Sequence, residues 1–202
     1  MGSFISSKPL AKTETQGVIR RTYMDFENRL EELVHRCRQG QRSAFEELFE
    51  IYQPRLKYYV RRIDSGNAGV DDILQDIWLT VLKEIQKLKD AKVFAVWLYR
   101  IARNKVYDGF RRKDRFVSLP EDNDFPVSGN DEPTFDADDA EKLHKALNEL
   151  KPHHREVLTL CFIEQMPYQS IADVIGCNVG TVRSRIFYAK QSLRAEMERQ
   201  NG

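Results

Sequence analysis

The stretch SIADVIGCNVGTVRSRI, from Ser170 to Ile186, has the spacing of a helix-turn-helix. The small residue Ala172 allows two helices to approach closely, and Gly176 supplies a turn residue that accepts a positive φ. Val182 then falls where the second helix must enter the core. The stretch therefore predicts two helices, near 168–175 and 178–197, joined by a tight turn.

The second of these helices carries two different faces. At about 100° per residue, Val182, Ile186, Ala189 and Leu193 fall within one narrow arc, which predicts the buried side. The remaining surface is small, polar and cationic, as suits a helix that enters the major groove of DNA. The candidate DNA contacts are Gly180, Thr181, Arg183, Ser184, Arg185, Tyr188 and Lys190. An amphipathic helix with a solvated basic face has the same pattern, and this segment alone leaves both interpretations open.

Apolar residues at helical spacing extend through most of the chain. Four helical segments with short connections run from Asp25 to Arg115, and no strand-like alternation interrupts them. From Phe116 to Asp139 the chain has eight acidic residues and no lysine or arginine, which predicts a flexible acidic linker. The predicted fold class is all-α, with two small helical domains joined by this linker. Its parts are a mobile N-terminal arm at 1–24, a first domain at 25–115, the linker at 116–139 and a helix-turn-helix domain at 140–202.

The composition excludes several classes of function. The formal net charge is +1, so any basic surface must be local. No apolar run approaches the length of about 18 residues that a membrane helix needs, and the N-terminus lacks a signal peptide, so we expect a cytoplasmic protein without membrane insertion. Cys37, Cys161 and Cys177 are far apart and form no metal-binding pair. With no phosphate-cradling glycine motif and no paired nucleophile and base, we expect neither an enzyme nor a bound metal or cofactor.

Three segments together resemble the extracytoplasmic-function (ECF) class of bacterial RNA polymerase sigma factors. VDDILQDIWLTVLKEI and VWLYRIARNKVYDGFRRKDR are similar to region 2 of that family, and the chain from Ala146 to Leu193 is similar to region 4. The order and separation match the two-domain class, which lacks region 3. The resemblance implies a protein that binds core RNA polymerase through the largest-subunit coiled coil and the flap. It also implies binding to promoter DNA, help in melting it, and an anti-sigma factor as a further partner.

The resemblance also assigns roles to particular residues. On the helix that matches the polymerase-binding helix it implies contacts by Asp72, Gln75 and Asp76, although the same residues would also simply cap and solubilise a helix. It places −10 element contacts on a loop and the helix that follows, at Lys87, Lys89, Asp90, Lys92, Asn104, Asp108, Arg111, Arg112 and Arg115. An internal hydrogen bond explains Asn104 and Asp108 equally well. Tyr188 departs from the family, which often has a basic residue at that position.

A second hypothesis is a conventional helix-turn-helix regulator that binds an operator without polymerase. It accounts for the C-terminal domain but leaves the combination of VDDILQDIW and WLYRIARNK unexplained. The two hypotheses differ in one observable property, because a sigma factor depends on core polymerase for promoter binding whereas a repressor does not.

Overall fold

The structure is a computed structural model that describes residues 11–64, 69–113 and 140–201. Within these ranges the chain forms helices and turns and no strand, which confirms the all-α prediction. The first domain contains α1 (Ala11–Arg38), α2 (Arg42–Ile63), α3 (Val70–Glu84) and α4 (Phe94–Lys113), with short 3-10 turns at Ile85–Lys87 and Ala91–Val93. The second contains α5 (Ala140–Glu149), α6 (Pro152–Leu158), a π turn at Thr159–Ile163, α7 (Tyr168–Ile175) and α8 (Val179–Asn201).

Helix α1 begins earlier than the sequence pattern predicts. The sequence predicts a mobile arm over residues 1–24, and the structure places 11–24 in the helix that starts at Ala11 and continues without a break to Arg38. The mobility of this segment stays a prediction, and residues 1–10 lie outside the described part. The segment has little apolar periodicity, yet it contains no proline, so nothing prevents the amphipathic helix that follows from extending backwards.

The core of the first domain forms around α3. Leu74, Ile77, Trp78 and Val81 are buried, as the apolar stripe predicts. The Trp78 indole packs edge-on against Phe45, with ring centroids 5.7 Å apart, and its Nε1 donates to Gln53 Oε1 at 2.6 Å. A large aromatic side chain with its polar atom satisfied is a favourable core element.

The turn of the helix-turn-helix has the predicted geometry. Gly176 ends α7 with φ 80° and ψ 40°, in the left-handed region that glycine accepts without strain. Its N–H donates to Ala172 O at 2.8 Å, and Val182 and Ile186 enter the core beyond it. The prediction for this turn is confirmed.

The two domains pack against each other. Helix α2 lies against α6, and α4 lies against α7. On one side of this seam Arg62 donates to His144 O at 3.2 Å and to Asn148 Oδ1 at 2.6 Å. The predicted acidic linker at 116–139 lies outside the described residues. The sequence left open whether the domains associate, and the structure shows a closed arrangement.

Candidate nucleic-acid and polymerase interfaces

The outer face of α3 combines acidic and apolar side chains. Asp72, Gln75 and Asp76 are all exposed, so the structure presents this predicted group together on one helix surface. Leu79 and Leu82 continue the surface along the helix, and they are 44% and 51% exposed. The sequence places Leu82 in the same apolar stripe as Leu74, Ile77 and Val81, which predicts a core position, but Leu82 is exposed in the structure. Sequence reasoning missed this apolar extension, although Leu79 follows Asp76 by three residues and Leu82 follows Leu79 by three, a spacing that places them on one side of the helix.

The loop between α3 and α4 presents cations on a fixed frame. Leu88 and Ala91 are buried and anchor the two 3-10 turns to the domain. Lys87, Lys89 and Lys92 are exposed around them. A loop whose apolar residues are held in the core has little backbone freedom to lose on binding, although its exposed lysine side chains must still be ordered.

Asp90 has a structural role in this loop. Its Oδ1 accepts a hydrogen bond from the Lys92 N–H at 2.9 Å and so caps the second 3-10 turn. The side chain is exposed and can meet a ligand, but one of its oxygens already fixes the backbone that carries Lys92. The sequence suggested only a contact with DNA.

Helix α4 presents a polar face next to the loop. Asn104 and Asp108 are exposed, and Arg100 is exposed one turn before Asn104. Sequence reasoning missed Arg100, although its spacing of four residues from Asn104 places both on one face. Arg111 and Arg112 belong to the last turns of α4, and Arg115 lies outside the described residues.

Helix α8 presents only some of the predicted DNA contacts. Gly180, Arg183 and Tyr188 are exposed, whereas Arg185 and Lys190 are half-buried. The Lys190 ammonium lies 5.1 Å from the centroid of the Phe162 ring, a cation–π contact within the second domain.

Thr181 and Ser184 are buried in this arrangement, and their role as groove-facing residues stays a prediction. They are 6% and 7% exposed. The Ser184 hydroxyl donates to Thr181 O at 3.0 Å, which satisfies it within the helix. Arg185 follows Thr181 by one helical turn, and its charge acts on Tyr107 of α4 in the first domain. Burial and Glu156 raise the pKa of Tyr107 on α4, and the charges of Arg103 and Arg185 oppose that rise.

No group of histidine, cysteine, aspartate and glutamate side chains suited to a metal ion occurs in 11–64, 69–113 and 140–201. The same described ranges contain no helix with the length and apolar character needed to span a membrane.

Helical domains with an exposed cationic loop and a helix-turn-helix define a class of DNA-binding proteins, and the comparisons identify the family. The Sigma-70 region 2 profile matches residues 48–116, and the Sigma-70 region 4 profile matches residues 140–193. The sigma factor CarQ of Myxococcus xanthus is 30% identical over 166 residues, which cover 80% of this chain and 93% of that protein. The chain belongs to the sigma-70 family of RNA polymerase sigma factors, in its ECF group.

Further relatives support this assignment. The ECF sigma factor SigE of Mycolicibacterium smegmatis is 30% identical over 161 residues, covering 77% of this chain and 62% of that protein. The ECF sigma-E factor of Escherichia coli K12 is 29% identical over 174 residues, which cover 80% of this chain and 90% of that protein.

Two solved structures share the fold. CnrH in complex with the cytosolic domain of CnrY superposes with a TM-score of 0.61 at 24% identity, covering 84% of this chain and 97% of that chain. The sigma factor RpoE in complex with the anti-sigma factor NepR, from Bartonella quintana, superposes with a TM-score of 0.59 at 22% identity, covering 76% of this chain and 96% of that chain.

Proposed function

We propose that this sigma factor binds core RNA polymerase through α3, reads the −10 element with the Lys87–Lys92 loop and α4, and reads the −35 element with α8. The observation that carries the proposal is the presence, on one chain, of the two sigma-70 regions and of an exposed surface of suitable chemistry in each.

The α3 surface suits a partner that is basic and partly apolar. Asp72 and Asp76 offer carboxylates for charge-assisted hydrogen bonds, and Leu79 and Leu82 offer apolar area that water now covers. Removing such area from water contributes about 25 cal/mol per Å². A helical coiled coil of the polymerase with exposed arginine or lysine side chains fits both parts of this surface.

The loop and α4 suit single-stranded DNA. Melting requires the capture of unpaired bases, and stacking on a protein surface contributes about 1–3 kcal/mol per base. Val93 is 43% exposed beside Lys92, so an apolar surface lies next to a cation that can follow the phosphate backbone. Asn104 and Arg100 extend this surface along α4.

The α8 surface suits duplex DNA. Gly180 lets the backbone approach a groove wall closely, and Arg183 is exposed one turn later, where a guanidinium reaches a guanine edge or a phosphate. Tyr188 is 38% exposed and brings a hydroxyl and an aromatic ring to the position where the family often has a basic residue.

We also propose an anti-sigma factor as a regulatory partner. The related structures show CnrH with the cytosolic domain of CnrY, and RpoE with the anti-sigma factor NepR. The chain acts in the cytoplasm with the polymerase, as a binding factor rather than as an enzyme.

Run-off transcription with purified core polymerase and a library of candidate promoters tests the proposal. We expect specific transcripts only when both core polymerase and this protein are present. A protein that footprints duplex DNA alone, and that is not retained by core polymerase, would instead be a conventional helix-turn-helix regulator.

A further inference from the structure

One carboxylate at the seam between the domains accepts hydrogen bonds from three side chains of the other domain. Glu156 lies on α6 and is 1% exposed. Its Oε1 accepts from the Tyr59 hydroxyl at 2.9 Å and from Arg103 Nε at 3.0 Å, and its Oε2 accepts from the Tyr107 hydroxyl at 3.0 Å. Tyr59 belongs to α2, and Arg103 and Tyr107 belong to α4, so all three donors lie on the first domain.

The three donors keep their protons and are held in place. Burial, together with Glu156, raises the pKa of Tyr59 well above its ordinary value, so this hydroxyl stays neutral and donates. Its ring packs edge-on against Tyr99 with centroids 5.1 Å apart. The Arg103 guanidinium lies 4.5 Å from the centroid of the Tyr107 ring, which fixes its plane beside the carboxylate. The donors are therefore a built anion site on the first domain, and Glu156 fills it.

The closed arrangement is incompatible with simultaneous binding of both promoter elements. Elements centred at −10 and −35 are separated by about 25 base pairs, or about 85 Å of duplex at about 3.4 Å per base pair. Here α4 packs directly on α7. The domains must separate on a promoter, and separation withdraws Glu156 and empties the site formed by Tyr59, Arg103 and Tyr107.

We propose that Tyr59, Arg103 and Tyr107 form an anion-binding site that Glu156 occupies in the closed protein and that a phosphate of the DNA backbone occupies once the domains separate. This inference rests on the proposed function in one respect, because it takes α4 to be a DNA-binding helix. The carboxylate of Glu156 thus competes with DNA for the same donors and holds the free protein closed.

The chemistry of the site fits a phosphate as well as a carboxylate. Guanidinium groups and hydroxyls are common donors to DNA phosphates, and both anions present oxygens that accept several such bonds. Arg103 also directly precedes Asn104, whose side chain is exposed on the proposed DNA surface of α4. A DNA backbone that follows this surface therefore passes beside the anion site that Glu156 has left.

The test compares opening with DNA affinity in the full-length chain. Glu156→Gln should increase the radius of gyration in X-ray scattering and raise the affinity for a mixed-sequence single-stranded oligonucleotide by about tenfold or more, because charge-assisted bonds that hold the closed state are lost. The double variant Glu156→Gln, Arg103→Gln should be equally open but bind more weakly. The slope of log affinity against log salt should be smaller by about 0.7, the value for one phosphate contact on a single strand.

Matched variants separate the charge from the fold. Tyr107→Phe keeps the ring and removes one neutral donor, so it should favour opening without changing the salt slope. Glu198→Gln and Arg42→Gln alter exposed charges away from the seam and should behave as the wild type.

Each outcome decides the proposal. A Glu156→Gln protein that stays as compact as the wild type would show that Glu156 does not hold the domains. Equal salt slopes for the single and double variants would show that Arg103 takes no phosphate. Neither measurement needs a promoter or polymerase, so a failure of the run-off experiment alone would overturn the proposed function and leave these results standing.

Discussion

The N-cap of α8 allows a prediction that connects a single hydrogen bond to promoter use. Asn178 precedes the first residue of the helix, and its Oδ1 accepts the Thr181 N–H at 2.7 Å. This bond satisfies one of the amides that the first turn leaves unpaired. A Cβ on Gly180 would lie 3.0 Å from the same oxygen, so glycine at 180 also leaves room for the cap.

Replacing Asn178 by alanine removes this acceptor. Loss of such a cap costs about 0.5–2 kcal/mol. In a chain of this length, each 1 kcal/mol lowers the melting temperature by about 2–4 °C. The first turn carries Gly180 and leads directly to Arg183, so fraying there should also weaken use of the −35 element.

Thermal unfolding by circular dichroism and run-off transcription measure the two effects. Asn178→Ser keeps a side-chain oxygen at the cap position and should remain near the wild type in both assays. If Asn178→Ala and Asn178→Ser melted at the same temperature, the side-chain cap would contribute nothing and the reasoning would be refuted.

Three further outcomes follow from exposed or charged groups. Asp76→Lys should weaken retention by core polymerase, measured by co-elution, whereas Glu27→Lys, at an exposed position of α1, should not. Unchanged retention of Asp76→Lys would remove Asp76 from the interface. Arg183→Ala should reduce binding of the holoenzyme to the −35 element by about 1–3 kcal/mol with core affinity intact, and parallel loss of both would indicate misfolding instead. Burial and the charge of Arg62, which lies 2.5 Å from Nδ1, lower the pKa of His144. The open protein therefore binds more protons at His144, and the closed form should become less favoured as the pH falls below about 6.5. The radius of gyration should rise over that range, and it should not do so in His144→Asn.

The parts of the fold that were predictable are those encoded by apolar spacing. The stripe of α3 identified Leu74, Ile77 and Trp78 as core, and glycine at 176 identified the turn before α8. Apolar burial has one preferred side on a helix, so periodicity is enough to find it. Leu82 was misassigned because the same periodicity does not distinguish a buried residue from an exposed one at the edge of the apolar stripe.

The candidate DNA surface was predictable in composition but not in exposure. Arg183 and Tyr188 lie outward, as the pattern of α8 predicts, whereas Thr181 and Ser184 are buried. Small hydroxyl residues tolerate both environments, because a bond within the helix satisfies them, as Ser184 shows with Thr181 O. Their type therefore carries little information about which flank of a helix is covered.

The contacts between the two domains could not be predicted from the sequence for a related reason. From the sequence alone, Glu156 is expected to be an ordinary exposed acid in a short helix, because charged residues are almost never fully buried unless they are paired. Its partners Tyr59 and Arg103 lie 97 and 53 residues away along the chain. A buried pair of this kind contributes little net stability, since desolvation offsets attraction, but removal of one partner leaves a charge that must regain water. At the boundary between two domains the charge regains water when the domains separate. A seam closed by an ion pair can therefore open at lower cost than one closed by apolar residues, which suits the proposed binding of the two domains to promoter elements about 85 Å apart.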